Sequence, residues 1–233
     1  MKLTSIAMAA VVLMLAGCYR LEQSVAEHSE SQSVELDKAE MVRVEVKMGA
    51  GEINMRGGAA KLMEGEFRFL GSNRPEIRYD SSTFRGRLVI RNVTTKESTS
   101  IAARDRWDVS LNETVPMDVD VHLGAGQGKL ELGSLALRDV NVSIGAGRVE
   151  LDLRGPRTRN MNVRVNGGVG EAVLRLPRDT GIRLEAHGGI GSIQVRGLDK
   201  RGSYYKNELY DTGKVIMDVE VHGGIGAINV YAE

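Results

Sequence analysis

The chain has one cysteine, Cys18, and four histidines, and any chemistry has to be sought first around them. Cys18 closes the run Leu15-Ala16-Gly17-Cys18, at the end of an apolar stretch over residues 6–15. A lone thiol cannot form an intramolecular disulfide; in an exported chain it is free, paired outside the chain, or chemically used. Three histidines stand two residues after an acid, as Asp120/His122, Glu185/His187 and Glu220/His222. Residues two apart on a strand share a face, so carboxylate and imidazole could together hold Zn2+ or a similar ion. The candidate metal set is Glu185, His187, Glu220 and His222; the competing reading is ordinary ion pairing on the wet face of a sheet. Exposed acids such as Asp118, Asp120, Glu185 and Glu220 would serve glycoside cleavage only if two of them met at a suitable separation. The chain has no serine elbow, no HExxH and no Cys/His nucleophile pair, and its Gly-x-Gly segments lack the lysine and following helix of a phosphate loop. No catalytic set and no cofactor are expected.

Lys2 supplies a positive charge ahead of an apolar segment of about ten residues, the length of a secretory signal and too short to span a bilayer. Ala16 and Gly17 are small, as a peptidase needs just before its cut. The run resembles the lipobox of bacterial lipoproteins, in which a diacylglyceryl group joins the cysteine sulfur and cleavage makes that cysteine the new N-terminus. The resemblance implies a signal peptide over residues 1–17, lipidation of Cys18, and a membrane contact through the lipid anchor. One acyl chain holds marginally, two or three hold firmly. The next residue is Tyr19, not the aspartate that commonly retains such proteins at the inner membrane. The expected location is the cell envelope, at the outer membrane if the host is diderm.

Residues 18–36 are rich in Ser, Glu and Gln and read as a solvated, flexible tether. The remainder suffices for one large or two small domains. Lys+Arg and Asp+Glu are both 31; this balance argues against nucleic acid as a partner, which would need a basic face. Aromatics make up only 4%, few for a carbohydrate platform. Glycine, at 28 residues, is well above the average of ~7%.

The glycines are ordered. A core of Gly, a small or branched apolar residue, and Gly recurs at Gly49/Gly51, Gly124/Gly126, Gly145/Gly147, Gly168/Gly170, Gly189/Gly191 and Gly224/Gly226. On either side the chain alternates, as in Val42, Val44, Val46 before the first core and Val149, Leu151, Leu153 after the third. Period-two patterning marks strands with one buried and one solvated face. Each copy therefore reads as strand, glycine corner, strand and short return. Such units bury their apolar edges only by stacking. The expected architecture is all-β, a β-solenoid of glycine-cornered coils; an antiparallel β-sandwich is the alternative, since a glycine corner also serves a hairpin. The division is an N-terminal β region over residues 37–120, continuous with glycine-cornered β repeats over 121–233.

Phe67/Phe69, Ile77/Tyr79, Leu88/Ile90 and Val109/Leu111 suggest four further strands, and Trp107 an end plug. Residues 94–100 are polar and read as a loop. The long step between the last two cores, residues 199–210, carries Tyr204, Tyr205 and Tyr210 amid charges; it is either a binding loop or a packed cover for the end of the stack.

The lipobox, the run Trp107-Asp108-Val109-Ser110-Leu111, Val115-Pro116-Met117-Asp118-Val119 and the serial glycine corners together resemble the toast-rack family of bacterial lipoproteins. That family is related to the extracytoplasmic β domain of LiaF-type envelope-stress proteins and to β-helical adhesins. The resemblance covers about residues 40–233. It implies a stacked β fold and a non-enzymatic binding, adhesion or scaffold role at the envelope, toward another envelope protein or a glycan. The alternatives are an envelope-stress signalling component and a polysaccharide-active enzyme on the same fold.

Overall fold

The structure, a computed structural model, describes residues 26–71, 73–82, 84–93 and 105–233. Leu15, Ala16, Gly17 and Cys18 lie outside the described residues, as does the polar stretch 94–100. The N-terminal half contributes β1 (Glu27–Val34), β2 (Met41–Gly57), β3 (Met63–Leu70), β4 (Pro75–Ser82), β5 (Arg85–Asn92) and β6 (Arg106–Leu111). There follow β7 (Met117–Glu131), β8 (Leu137–Asp152), β9 (Met161–Leu176), β10 (Gly181–Arg196), β11 (Asp199–Arg201), β12 (Tyr204–Lys206), a one-turn helix α1 (Leu209–Thr212) and β13 (Ile216–Ala232).

Six long strands, β2, β7, β8, β9, β13 and β10, each bend at a glycine core into two legs. They stack in that order, parallel and in register. The apolar member of each alternating pair points between the legs: Val42, Val44 and Val46 from the first leg of β2 and Ile53 and Met55 from its second are all buried. The same face of every layer continues this core. Each such side chain withdrawn from water contributes roughly 1.5–3 kcal/mol, and only a neighbouring layer can cover it.

The corners need glycine because backbone meets backbone there. Gly147 has φ +129°, and a Cβ on it would stand 1.9 Å from the Gly126 carbonyl oxygen of the layer before. The same contact repeats up the column at Gly126, Gly170, Gly226 and Gly191. The first glycine of each core is constrained by approach alone: a Cβ on Gly145 would lie 2.4 Å from the Gly124 oxygen. Gly49 departs from the expected role. Nothing lies within 4 Å of its would-be Cβ; among the described residues, the strands of the adjoining layer pair with β2 only up to Lys47 and again from Glu52.

That layer is a broken coil. β5 runs parallel to the first leg of β2 and β6 parallel to the second. Asp105 sits at the break. Its backbone oxygen accepts the Glu52 N–H at 2.8 Å and would be 2.3 Å from a Cβ on Gly51. Its carboxylate accepts the Leu70 N–H at 3.2 Å and Asn92 Nδ2 at 3.4 Å. The expected strands around Phe67, Ile77, Leu88 and Val109 are β3 to β6. Trp107 is fully buried and meets Phe67 edge-on, with ring centroids 5.8 Å apart. It plugs the broken coil from within rather than from the end, since β3 and β1 lie beyond it.

Two further corrections concern order and extent. The expected tether does not reach residue 36: β1 pairs antiparallel with β3 from Glu27↔Leu70 to Val34↔Met63. Its polar composition hides this because the pairing is made by backbone on an existing edge, helped by His28 stacked on Phe69 at 5.5 Å. Nor does the stack follow chain order throughout. β13 slots between β9 and β10, so the last strand made completes the interior and β10 becomes the outer coil.

At the mouth of the coils Arg157 donates from its guanidinium to the carbonyls of Leu135 (3.0 Å), Leu153 (2.8 Å) and Leu132 (3.5 Å). These carbonyls belong to the returns of two successive layers, and those of Leu132 and Leu135 also accept the turn N–H groups of Leu135 (3.2 Å) and Leu137 (2.9 Å), so the guanidinium clips the returns together. Burial pushes the Arg157 pKa down from its usual value.

Candidate functional site

The acid-x-His pairs lie on the outer face of the first legs, as alternation requires. Register places Glu185 beside Glu220 and His187 beside His222 on the adjacent strands β10 and β13. The two imidazoles stack, with centroids 5.1 Å apart and planes 13° from parallel. His222 Nε2 lies 2.7 Å from Glu220 Oε1, and His187 Nε2 lies 3.9 Å from Glu185 Oε2. Each acid is also held by a guanidinium: Glu185 by Arg183 at 2.6 Å, Glu220 by Arg164 at 3.4 Å. The hydrogen bond from His222 and the Arg164 charge hold the Glu220 carboxyl below the usual carboxylate range. The third pair is separated in function: Asp120 is buried and accepts Arg43 Nε at 2.8 Å and Asn141 Nδ2 at 2.9 Å. Among the described residues no three or more His, Cys, Asp or Glu side chains are grouped to hold a metal ion. Four half-exposed side chains with two arginines between them form a charge ladder rather than a coordination sphere.

The acids considered for glycoside cleavage are tied down in the same way. Asp118 faces Arg138 at 3.2 Å, and burial pushes its carboxyl above the ordinary value. Asp120, Glu185 and Glu220 each have the arginine named above.

The tyrosine-bearing insertion folds back on the stack. β11 and β12 form an antiparallel pair, and β12 bonds to the first leg of β10 through Arg183↔Lys206 and Leu184↔Tyr205. Asn207 locks it: its Nδ2 donates to the Thr180 carbonyl at 2.7 Å, and its Oδ1 accepts the Ile182 N–H at 2.9 Å. Tyr205 packs against the core, Tyr204 covers the Arg183 guanidinium at 5.0 Å, and Tyr210 Oη donates to Asp218 at 3.3 Å. The three rings cover the end of the first-leg sheet instead of standing free.

Sequence reasoning missed a recess on the outer face of the second legs. Strands β1, β3, β6, β2 and β7 curve around a polar hollow of about 750 Å³. Asn54, Arg56, Lys61, Glu64, Arg106, Asp108 and Lys129 line it. Its bidentate-capable arginines, amide and carboxylates could hold a polar chain by many weak contacts. The only trace in the sequence is the polar member of each alternating pair; which strands bring these members together depends on β1 and β3 adding to β6.

Comparison with known proteins agrees with this architecture. Residues 23–175 match the family model described as the N-terminal domain of toast_rack, DUF2154. A solved structure provisionally named a cell adhesion protein, from Clostridium sporogenes, is 31% identical, covers 89% of this chain and 100% of its own, and superposes with a TM-score of 0.82. Provisionally named adhesins from Bacteroides fragilis and Parabacteroides distasonis align over 88% and 89% of this chain and 97% and 98% of their own. They share 10% and 9% identity, with TM-scores of 0.33 and 0.26, too remote to carry an argument. No curated protein matches the chain. With two thirds of its length under one family model and a fold-wide relative, the chain belongs to the toast-rack family.

Proposed function

We propose that this protein is a lipid-anchored module of the cell envelope that binds or scaffolds a partner without catalysing a reaction. The observation that carries the reading is the full-length likeness to a structure named for cell adhesion. The geometry is compatible with it. Backbone contacts at the glycine columns fix successive layers ~4.8 Å apart, so outward side chains form rigid columns suited to display. The chemistry-bearing acids are each engaged by arginine, which suits a recognition surface better than proton transfer. The partner would be another envelope protein or a glycan, and the polar recess is the surface we assign to it. Anchoring would come from acylation of Cys18.

Two experiments test this. Metabolic labelling with a fatty acid should mark the wild type and not Cys18→Ser, which should move to the soluble fraction; a membrane-bound Cys18→Ser protein would place the anchor elsewhere. Crosslinked capture from intact membranes should recover a defined partner, lost in Arg56→Glu/Lys129→Glu. Equal capture by that variant would remove the recess from the proposal, and turnover of an envelope polysaccharide by the purified chain would overturn the non-enzymatic reading.

A further inference from the structure

The stack ends differently at its several margins. β10 is bonded along one edge to β13, from Gly181↔Ile216 to Arg196↔Tyr231. Its other edge is covered by β12 at Arg183 and Leu184 alone. From His187 to Gln194 every residue is exposed, and among the described residues no strand bonds to the outer edge of this second leg.

An open strand edge is a template for another strand, and proteins blunt it with charges, proline or a cover. The other margins are blunted in that way. β1 carries Glu27 and Glu30, β4 carries Pro75, Glu76, Arg78 and Asp80, and β11 is Asp199-Lys200-Arg201. The β10 edge from Gly188 to Val195 contains no Asp, Glu, Lys, Arg or Pro. Ile190, 74% exposed, and Ile193, 39% exposed, stand on it.

The same segment already accepts a near copy of itself. Gly223-Gly224-Ile225-Gly226-Ala227-Ile228-Asn229-Val230 lies along Gly188-Gly189-Ile190-Gly191-Ser192-Ile193-Gln194-Val195. We propose that the outer edge of β10 over residues 188–195 is a self-association edge, which pairs with the identical edge of a second copy. A two-fold axis perpendicular to the sheet makes that pairing antiparallel and closed. The lack of charge lets two identical edges meet without repulsion, whereas stacking onto β1 or β4 would set this neutral edge against a charged one. The pairing leaves both β1 strands at the far ends of a continuous sheet.

Sedimentation of the full chain in detergent tests it, beside Ser192→Lys/Gln194→Lys. The unaltered chain should be dimeric. The double variant should keep the wild-type circular dichroism spectrum and dissociate on the order of a hundredfold more readily, as like charges set edge to edge require. A monomeric wild type, or a dimer that the lysines leave intact, overturns the proposal. Should the variant fold poorly, hydrogen exchange on the unaltered chain decides: amides of residues 188–195 must gain protection as concentration rises, and constant exchange overturns it.

Discussion

In β2, β7 and β8 the residue just before the corner is large and buried: Met48 is 3% exposed, Leu123 4% and Ile144 6%. Alanine occupies the tip between the two glycines. In β9, β13 and β10 this is inverted. Gly167, Gly223 and Gly188 hold the inner position, and Val169, Ile225 and Ile190 stand at the tip, more than half exposed. The inner space is then filled from the opposite leg in two layers: Ile228 and Ile193 reach to within 3.1 and 3.3 Å of where a Cβ on Gly223 or Gly188 would lie. In β9 the facing residue is only Ala172, and a crevice of about 80 Å³ remains among Ile144, Gly167, Ala172, Ile193 and Ile228. One backbone geometry thus carries two side-chain solutions, and the second moves apolar surface from the core to the outside. That transfer places an apolar ridge beside the open edge of β10.

Substitutions at matched positions would break this comparison most sharply at the glycine column. Gly147→Ala faces a backbone oxygen at 1.9 Å and a φ of +129°. It should destabilise by more than about 4 kcal/mol and abolish the cooperative transition, in either kind of corner alike. Gly49→Ala, with open space around it, should stay within about 0.5 kcal/mol of the wild type in urea unfolding. Next comes the inversion itself. Ile144→Ala should cost about 2–4 kcal/mol by cavity formation, and Ile190→Ala less than about 0.5; equal costs would mean that the tip ridge is packed rather than exposed.

A smaller effect concerns Glu45 on the outer face of β2. Lys47 and Arg87, the latter at 2.8 Å, hold its carboxyl down at about 2, against an ordinary 4.5. A folded-state pKa below the unfolded one adds stability that is full above 4.5 and lost as pH falls through about 2. Glu45→Gln should therefore flatten the acid limb of the stability curve between those values. Wild-type slope in Glu45→Gln would show that other acids carry that limb. Least of all, Gly167→Ala should stabilise by about 0.4–1 kcal/mol. Its Cβ finds nothing nearer than 3.8 Å, φ is ordinary, and the crevice has room. A lower melting temperature would show that the crevice is closed in solution.

Much of this molecule can be read along the chain. Alternation at Val140, Val142 and Ile144, or at Val149, Leu151 and Leu153, is a local property that only a half-buried strand explains. The recurrence of Gly-x-Gly at near-constant steps points to layers of equal length. The shared Gly-x-Gly pattern, however, concealed the inversion at the corners, because Ala and Ile both satisfy it while one faces solvent by default and the other does so because a glycine lies before it. The arginine that holds Glu185, Arg183, stands two residues before it on the same strand and is legible along the chain, whereas Arg164 reaches Glu220 only because β9 and β13 are set side by side in register. Asp105 and Arg157 gave no signal at all: Asp105 satisfies backbone groups of Leu70 and Glu52, and Arg157 reaches the return of the preceding layer at Leu132 and Leu135.

By itself the sequence determined the local matters: which residues face inward, where the chain must turn, and that layers must stack to hide their apolar edges. Those follow from side-chain period and from the absence of a Cβ, which act over a few residues. Tertiary structure alone decided the order of layers, with β13 inserted before β10, the addition of polar β1 to the sheet, and which edge was left bare. Backbone hydrogen bonds between strands are nearly blind to side-chain identity, so many pairings are locally equivalent. Only the sum of burial over the whole stack selects among them.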